Sequence, residues 1–297
     1  MDAQIRAKHE KFLYPIVRVV APSSSGGGNG GSGIVVYSAP VTPKAKEFET
    51  YILTNHHVIS PLIDVQEKWH PTVGRDIKVE KRSEGMVEFF GYENLSRITD
   101  AMTKRADLMA WDDQKDLALL RLRATQKVEF VAPIIKPSDV EKKLFIFTPV
   151  YTVGCGLGAP PLVTEGHIGG FDFTIDNYPY TLTTAPGIYG NSGGAVLSQE
   201  TGEVIGVTAR IAVAFAGFSA DAITHMMWSV SPKTIYQFLE EQVFDFVVDP
   251  SKTSKQCEKK REDMKKKAFD ALIGGAPNSP EGALQAESEY GEENDAP

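Results

Sequence analysis

Along most of the 297-residue chain, apolar and polar positions alternate over short runs that are broken by clusters of Gly, Pro, Asn or Asp. Such a pattern predicts strands and turns rather than helices. In the first half, strands are expected at 16–20, 48–54, 106–111 and 117–122. In the second half they are expected at 145–153, 162–171, 180–184, 204–211 and 226–230, with 195–197 and 204–207 forming a hairpin around Gln199 to Glu203. Residues 61–105 hold no sustained period, so an irregular insertion is expected there, with a strand at 86–90 and a helical piece at 93–104. A polar, proline-bearing connector at 131–142 divides the two halves. Helical periodicity is confined to the ends of this body. Residues 1–12 suit a short polar helix, and Ser231-Pro232 is a good helix start, with Ser as cap, Pro at the first position, and Ile235, Phe238 and Leu239 following at helical spacing. The organisation expected is an extension at 1–13, a folded body at 14–249, and a compositionally distinct segment at 250–297. Within the body, the halves are 14–131 and 143–231, closed by a helix at 232–244.

Composition narrows the function. Six of the eight net negative charges lie in 281–297, which holds no Lys or Arg, so the body has little net field and nucleic-acid binding is not expected. That acidic tail has too few apolar residues to offset the entropy of ordering. Cys155 and Cys257 are the only cysteines and sit in unlike surroundings, which disfavours a disulfide framework and favours a reducing, intracellular location, cytoplasmic or otherwise. No apolar run reaches membrane-spanning length, and no signal peptide is read in the first residues. Residues 252–267 hold eight basic side chains. Either a docking helix or a solvated linker fits them, and the linker is the expectation.

The chemistry centres on Gly190-Asn191-Ser192-Gly193-Gly194. A serine hydroxyl needs a base, a group that orients the base, and donors for an oxyanion before it becomes an effective nucleophile. Glycines around Ser192 allow a sharp turn in which the N–H groups of Gly190 and Ser192 converge on one oxygen. A nucleophile elbow of the α/β-hydrolase kind needs a helix after the serine, but here a hairpin follows. His225 is the only histidine beyond Ser192, so partners must lie upstream. Two adjacent histidines, His56 and His57, end the 48–54 strand, and alternation lets only one of them face a given side. Asp116 stands where the chain enters the apolar run 117–120, so its carboxylate needs a partner that a histidine would supply. The glycine-rich stretch 23–33 contains Gly26, Gly28 and Gly31 at dinucleotide-fingerprint spacing, but it opens a strand rather than a helix and reads as a flexible loop.

Three ordered motifs, Thr54-Asn55-His56-His57-Val58, Asp116-Leu117-Ala118-Leu119-Leu120 and Gly190-Asn191-Ser192-Gly193-Gly194, together with Gly154-Cys155-Gly156 and Trp228-Ser229-Val230-Ser231, resemble the chymotrypsin-like serine proteases, specifically the Deg/HtrA-type protease domain. The resemblance spans about residues 14–242 and implies an all-β fold of two six-stranded antiparallel barrels with the site between them. It implies His57, rather than His56, as general base, Asp116 as its orienting acid, Ser192 as nucleophile, and Gly190, Asn191 and Ser192 as the oxyanion loop. The primary specificity pocket would be walled by Pro186, Gly187 and Ile188 and by Val207, Thr208, Ala209 and Ile211. Apart from Arg210, whose direction the pattern does not fix, these are uncharged, which points to cleavage after small to medium apolar residues. No counterpart of the family's PDZ domain is expected after this body. No metal or organic cofactor is expected, since no metal-ligand spacing occurs. The expected partner is a peptide or protein substrate, and homo-oligomerisation is left open. Rival readings are a catalytically weak peptide-binding or assembly module on the same fold, and a processing protease with one dedicated substrate.

Overall fold

The computed structural model describes residues 3–22, 28–42, 44–71, 75–216 and 219–273. Helix α1 (Ala3–Lys8) runs into a π-helical turn (His9–Leu13) whose Phe12 packs edge-on against Tyr151. Then follow β1 (Ile16–Pro22), β2 (Gly28–Pro40), β3 (Phe48–Thr54), the one-turn helix α2 (His56–Ile59), a separate hairpin of β4 (Ile63–His70) and β5 (Arg75–Arg82), and β6 (Gly85–Glu93), β7 (Arg97–Asp112) and β8 (Leu117–Ala124). Six of these close a barrel in the order β1-β2-β3-β8-β7-β6. After α3 (Pro137–Lys143), the chain forms β9 (Pro149–Gly154), β10 (Leu162–Ile175), β11 (Tyr178–Thr183), β12 (Ala195–Ser198), β13 (Val204–Ala216) and β14 (Ser219–Val230). They close a second barrel in the order β10-β11-β14-β13-β12-β9. Helices α4 (Pro232–Glu241) and α5 (Ser254–Ile273) follow. The all-β expectation of two six-stranded barrels holds.

Side-chain parity explains the packing. Val17, Val19 and Ala21 of β1 and Ala118, Leu120 and Leu122 of β8 point into the first barrel with Val35, Ile52 and Leu108. Residues of opposite parity, Ile16, Tyr51, Leu53, Leu117 and Leu119, meet the second barrel and α4 in a shared cluster with Val153, Leu197, Val207, Phe238 and Phe244. Both faces of β3 and β8 are therefore buried, which is why their sequences read as near-continuous apolar runs. Ser231 caps α4 by accepting from Thr234 N–H at 3.3 Å, as its Ser-Pro start implies.

The structure departs from expectation in three places. First, the described residues of 61–105 are not irregular and the 93–104 piece is not helical: β4 pairs with β5, and β6 and β7 form a long antiparallel ribbon from Gly85↔Ala106 to Glu93↔Arg97. The outer part of β7, residues 97–103, is exposed, so no apolar face marks its period. Second, Gly28 to Gly33 are not a loop but pair with β1 from Ile16↔Ile34 to Pro22↔Gly28, while residues 23–27 lie outside the described ones. A side chain at Gly31 has no room, because its Cβ would stand 2.7 Å from Val58 Cγ2 and 2.8 Å from Ser192 O. Third, residues 254–273 are a helix rather than a solvated linker. Arg261 lies 3.9 Å over the Phe244 ring and Cys257 is buried, so two polar-looking residues do the packing. The acidic tail at 281–297 falls outside the described residues.

Candidate active site

Strand β3 ends at Thr54, and α2 turns the chain so that His56 and His57 follow on a tight helical turn whose N-cap is Asn55. Asp116 sits immediately before β8 with a left-handed φ of 52°, a conformation Asp tolerates better than most residues. Asn55 fixes this geometry by donating its Nδ2 to Asp116 O at 2.7 Å. The Asp116 carboxylate, nearly fully buried, accepts from His57 N–H at 3.0 Å on Oδ1 and lies 3.0 and 2.8 Å from His57 Nδ1 through its two oxygens. With Nδ1–H donating to that carboxylate, the free Nε2 becomes an acceptor. The adjacent His56 turns elsewhere and stacks on Trp111, with ring centroids 5.0 Å apart. Burial lowers the His56 pKa from its ordinary value, opposed by the Asp116 and Asp113 charges, so it is neutral near pH 7.

Ser192 comes from the other barrel, on the turn before β12. Gly190 (φ 96°) and Gly193 (φ 82°) take left-handed conformations there. At Gly193 a Cβ would collide with Ser32 O and Thr54 Oγ1, so glycine is required twice over. The turn is stitched to the first barrel by one residue. Ser32 N–H donates to Ser192 O at 2.7 Å, and the Ser32 hydroxyl donates to Gly190 O at 2.8 Å while accepting from Cys155 N–H at 2.7 Å. Thr54 Oγ1 in turn donates to Ser32 O at 2.7 Å. Asn191 does not offer its N–H to the cleft, contrary to its place in the expected oxyanion loop: it donates to Ile188 O at 3.0 Å. The N–H groups of Gly190 and Ser192 are bonded to none of the described residues.

His56, His57, Asp113 and Asp116 from the first barrel and Ala209 and Arg210 from the second line one cleft of ≈ 350 Å³. Of the residues expected to wall a specificity pocket, Ala209 borders this cleft, Pro186 is exposed and Ile188 is half-buried. Val207 instead points into the core, and Thr208 is buried as a brace, its hydroxyl bonded to Asn191 O and its carbonyl accepting from Gly193 N–H at 2.9 Å. Ile211 is half-buried opposite Met227. Gly187 rests on the Met227 side chain, with its N–H donating to Thr224 O at 2.7 Å. Met227 carries no signal of its own in the sequence, because it reads as one more apolar residue of the strand that leads into Trp228-Ser229-Val230-Ser231.

Residues 31–207, well over half the chain, match the family of the trypsin-like peptidase domain. The chain belongs to the trypsin-like peptidases. It is a serine-type endopeptidase. Among solved structures, this trypsin-like peptidase is similar to the serine endoprotease from Yersinia pestis, with 20% identity, a TM-score of 0.53, and coverage of 82% of this chain and 68% of that one. It is also similar to the HtrA-type protease AlgW with a tripeptide, at 17% identity and a TM-score of 0.54, covering 84% of this chain and 64% of the other. Both likenesses show a shared HtrA-like fold. The chain thus spans about two thirds of these proteins' length. A comparison with curated proteins gave no match. Among the described residues, no helix is long and apolar enough to cross a membrane.

Proposed function

We propose that peptide hydrolysis in this chain runs through Ser192, His57 and Asp116. The observation that carries the reading is the His57–Asp116 pair, which leaves one ring nitrogen free to accept; the glycine-braced turn of Ser192, whose own N–H and that of Gly190 are bonded to none of the described residues, supports it. Ser192 Oγ attacks the scissile carbonyl carbon as His57 Nε2 takes its proton. The carbonyl oxygen, now negative, is received by the N–H groups of Gly190 and Ser192. His57 then gives the proton to the leaving amine, which leaves an acyl-enzyme that water hydrolyses by the same steps in reverse. Asp116 stays ionised throughout, holding the ring and stabilising the imidazolium.

Cleavage after small to medium apolar residues is the specificity proposed. It is supported by the uncharged segment Pro186 to Ile188, by Ala209, and by the buried thioether of Met227 under Gly187. An unpaired cation has no partner among those groups. The test is labelling with a fluorophosphonate probe, followed by a peptide-library profile. Ser192→Ala should abolish labelling and lower kcat about a millionfold, while the fold survives. Undiminished cleavage by Ser192→Ala overturns the assignment, and a profile dominated by Lys or Arg at the cleaved residue overturns the specificity.

A further inference from the structure

The cleft wall on the second barrel ends in a cation. Arg210 follows Ala209 on β13, and both border the space that His57 and Asp116 border from the other side. A bulge in the pairing of β13 with β14 between Thr208 and Arg210 puts the arginine out of the strict alternation of its strand. Its guanidinium lies 5.6 Å from the centre of the Tyr180 ring, which supports it from beneath. Among the described residues its one charged partner is Asp176, from the turn between β10 and β11, at 2.6 Å from Nη2. That pair is open to solvent, with side-chain exposures of 40% for Arg210 and 64% for Asp176, so it does not quench the arginine. A guanidinium is never deprotonated in a protein and carries five N–H donors in a fixed fork. Asp116 is already committed to His57, and Asp113 stands exposed on the opposite rim. The cleft therefore presents a positive second-barrel wall and a negative first-barrel rim, and a bound carboxylate is directed to the former.

We propose that Arg210 forms a substrate subsite for an acidic side chain, Asp or Glu, carried near the scissile bond but not at the cleaved residue itself. The inference rests on the catalytic reading above and deepens it. The subsite would let the enzyme distinguish two peptides with the same cleaved residue by the charge of a neighbour.

The experiment uses the full chain and pairs of fluorogenic peptides that differ only by Glu or Gln at each position flanking a fixed apolar cleaved residue. At one flanking position, kcat/KM should favour Glu by about tenfold, the size of one hydrogen bond to a charged group. Arg210→Ala should bring that ratio to about one, Arg210→Lys should keep part of it, and Arg210→Glu should invert it in favour of a Lys-bearing peptide. Asp176→Asn should raise the ratio, because it frees the guanidinium. If wild type shows no acid preference at any position, or if the preference survives in Arg210→Ala, the subsite does not exist and Arg210 only clamps the β10–β11 turn. Fluorophosphonate labelling separates the two failures: a labelled enzyme without acid preference loses only this inference, whereas an enzyme that neither labels nor cleaves loses the catalytic reading and the subsite with it.

Discussion

The two barrels share a strand plan but prepare different things. The first has a deep interior, in which fourteen buried residues pack together, and it holds the histidine and aspartate by side-chain and main-chain hydrogen bonds at the ends of β3 and β8. Among the described residues the corresponding cluster of the second half is smaller, at seven buried residues, and that half's contribution is a turn shaped by main-chain geometry, with Gly190 and Gly193 at positive φ. On the proposed reading, one half sets up a proton acceptor and the other sets up a shape. A site divided this way fails in two distinguishable manners: loss of a reacting side chain should change chemistry with little change in stability, whereas damage to the main-chain shape of the serine turn should change both.

The largest effect expected on this contrast comes from Asp116→Asn. Losing the carboxylate should lower kcat about 10⁴-fold by favouring the wrong His57 tautomer, with KM little changed. A variant that lost most of its substrate affinity instead would place Asp116 in binding. His57→Ala should approach the severity of Ser192→Ala, because such groups act as a unit.

Next in size is Gly193→Ala, which places a side chain at φ 82° against Ser32 O and Thr54 Oγ1. It should cost roughly 2–3 kcal/mol in urea unfolding, as a strained backbone position does, and should remove activity as well. Full stability with lost activity would mean that the turn is not a structural joint. Truncation after Pro250 should be milder. It removes Cys257 and the Arg261 side chain lying over Phe244, so the melting temperature should drop by a few degrees while probe labelling persists. An unfolded or unlabelled truncation would make α5 part of the enzyme body.

The smallest effect is at His56. Burial sets its pKa below the ordinary 6.5, so the folded protein binds fewer protons there than the unfolded chain does. Its contribution is complete above about pH 6.5 and is lost as the pH falls through the folded pKa. His56→Ala should therefore leave activity nearly intact and flatten the decline in stability on the acid side, measured as urea midpoints at pH 7.5 and pH 5. A His56→Ala loss as deep as that of His57→Ala would exchange their roles.

How far the sequence could be read follows from where each signal was stored. His57, Asp116 and Ser192 each stand beside an apolar run or a glycine cluster whose chemistry announces an unusual position, so the sequence singles out these residues, which the proposed reading uses. The interior strands were legible too, since burial imprints their period. Arg210 was not, because the bulge at Thr208 shifts parity and side-chain direction is then a property of the pairing with β14 rather than of β13 alone. Residues 97–103 of β7 were hidden for a related reason: hydrogen bonding to β6 makes them a strand while their side chains face water. Val207 and Thr208 looked equivalent to Ala209 as pocket walls, yet the pleat turns the first into the core and the second onto the serine turn. The resemblance supplied the choice between His56 and His57, and the Trp111 stack gives it a physical basis.

Ser32 also bears on timing. The hydroxyl and main-chain N–H that brace the nucleophile turn belong to an early strand of the chain, whereas the turn itself is made late, so neither half alone holds a finished site. On the proposed catalytic reading, as the polypeptide leaves the ribosome the first half has a base with nothing to activate, and a second half folding by itself lacks the Ser32 brace on its serine turn. Cutting power arises only in the final docking of one half on the other.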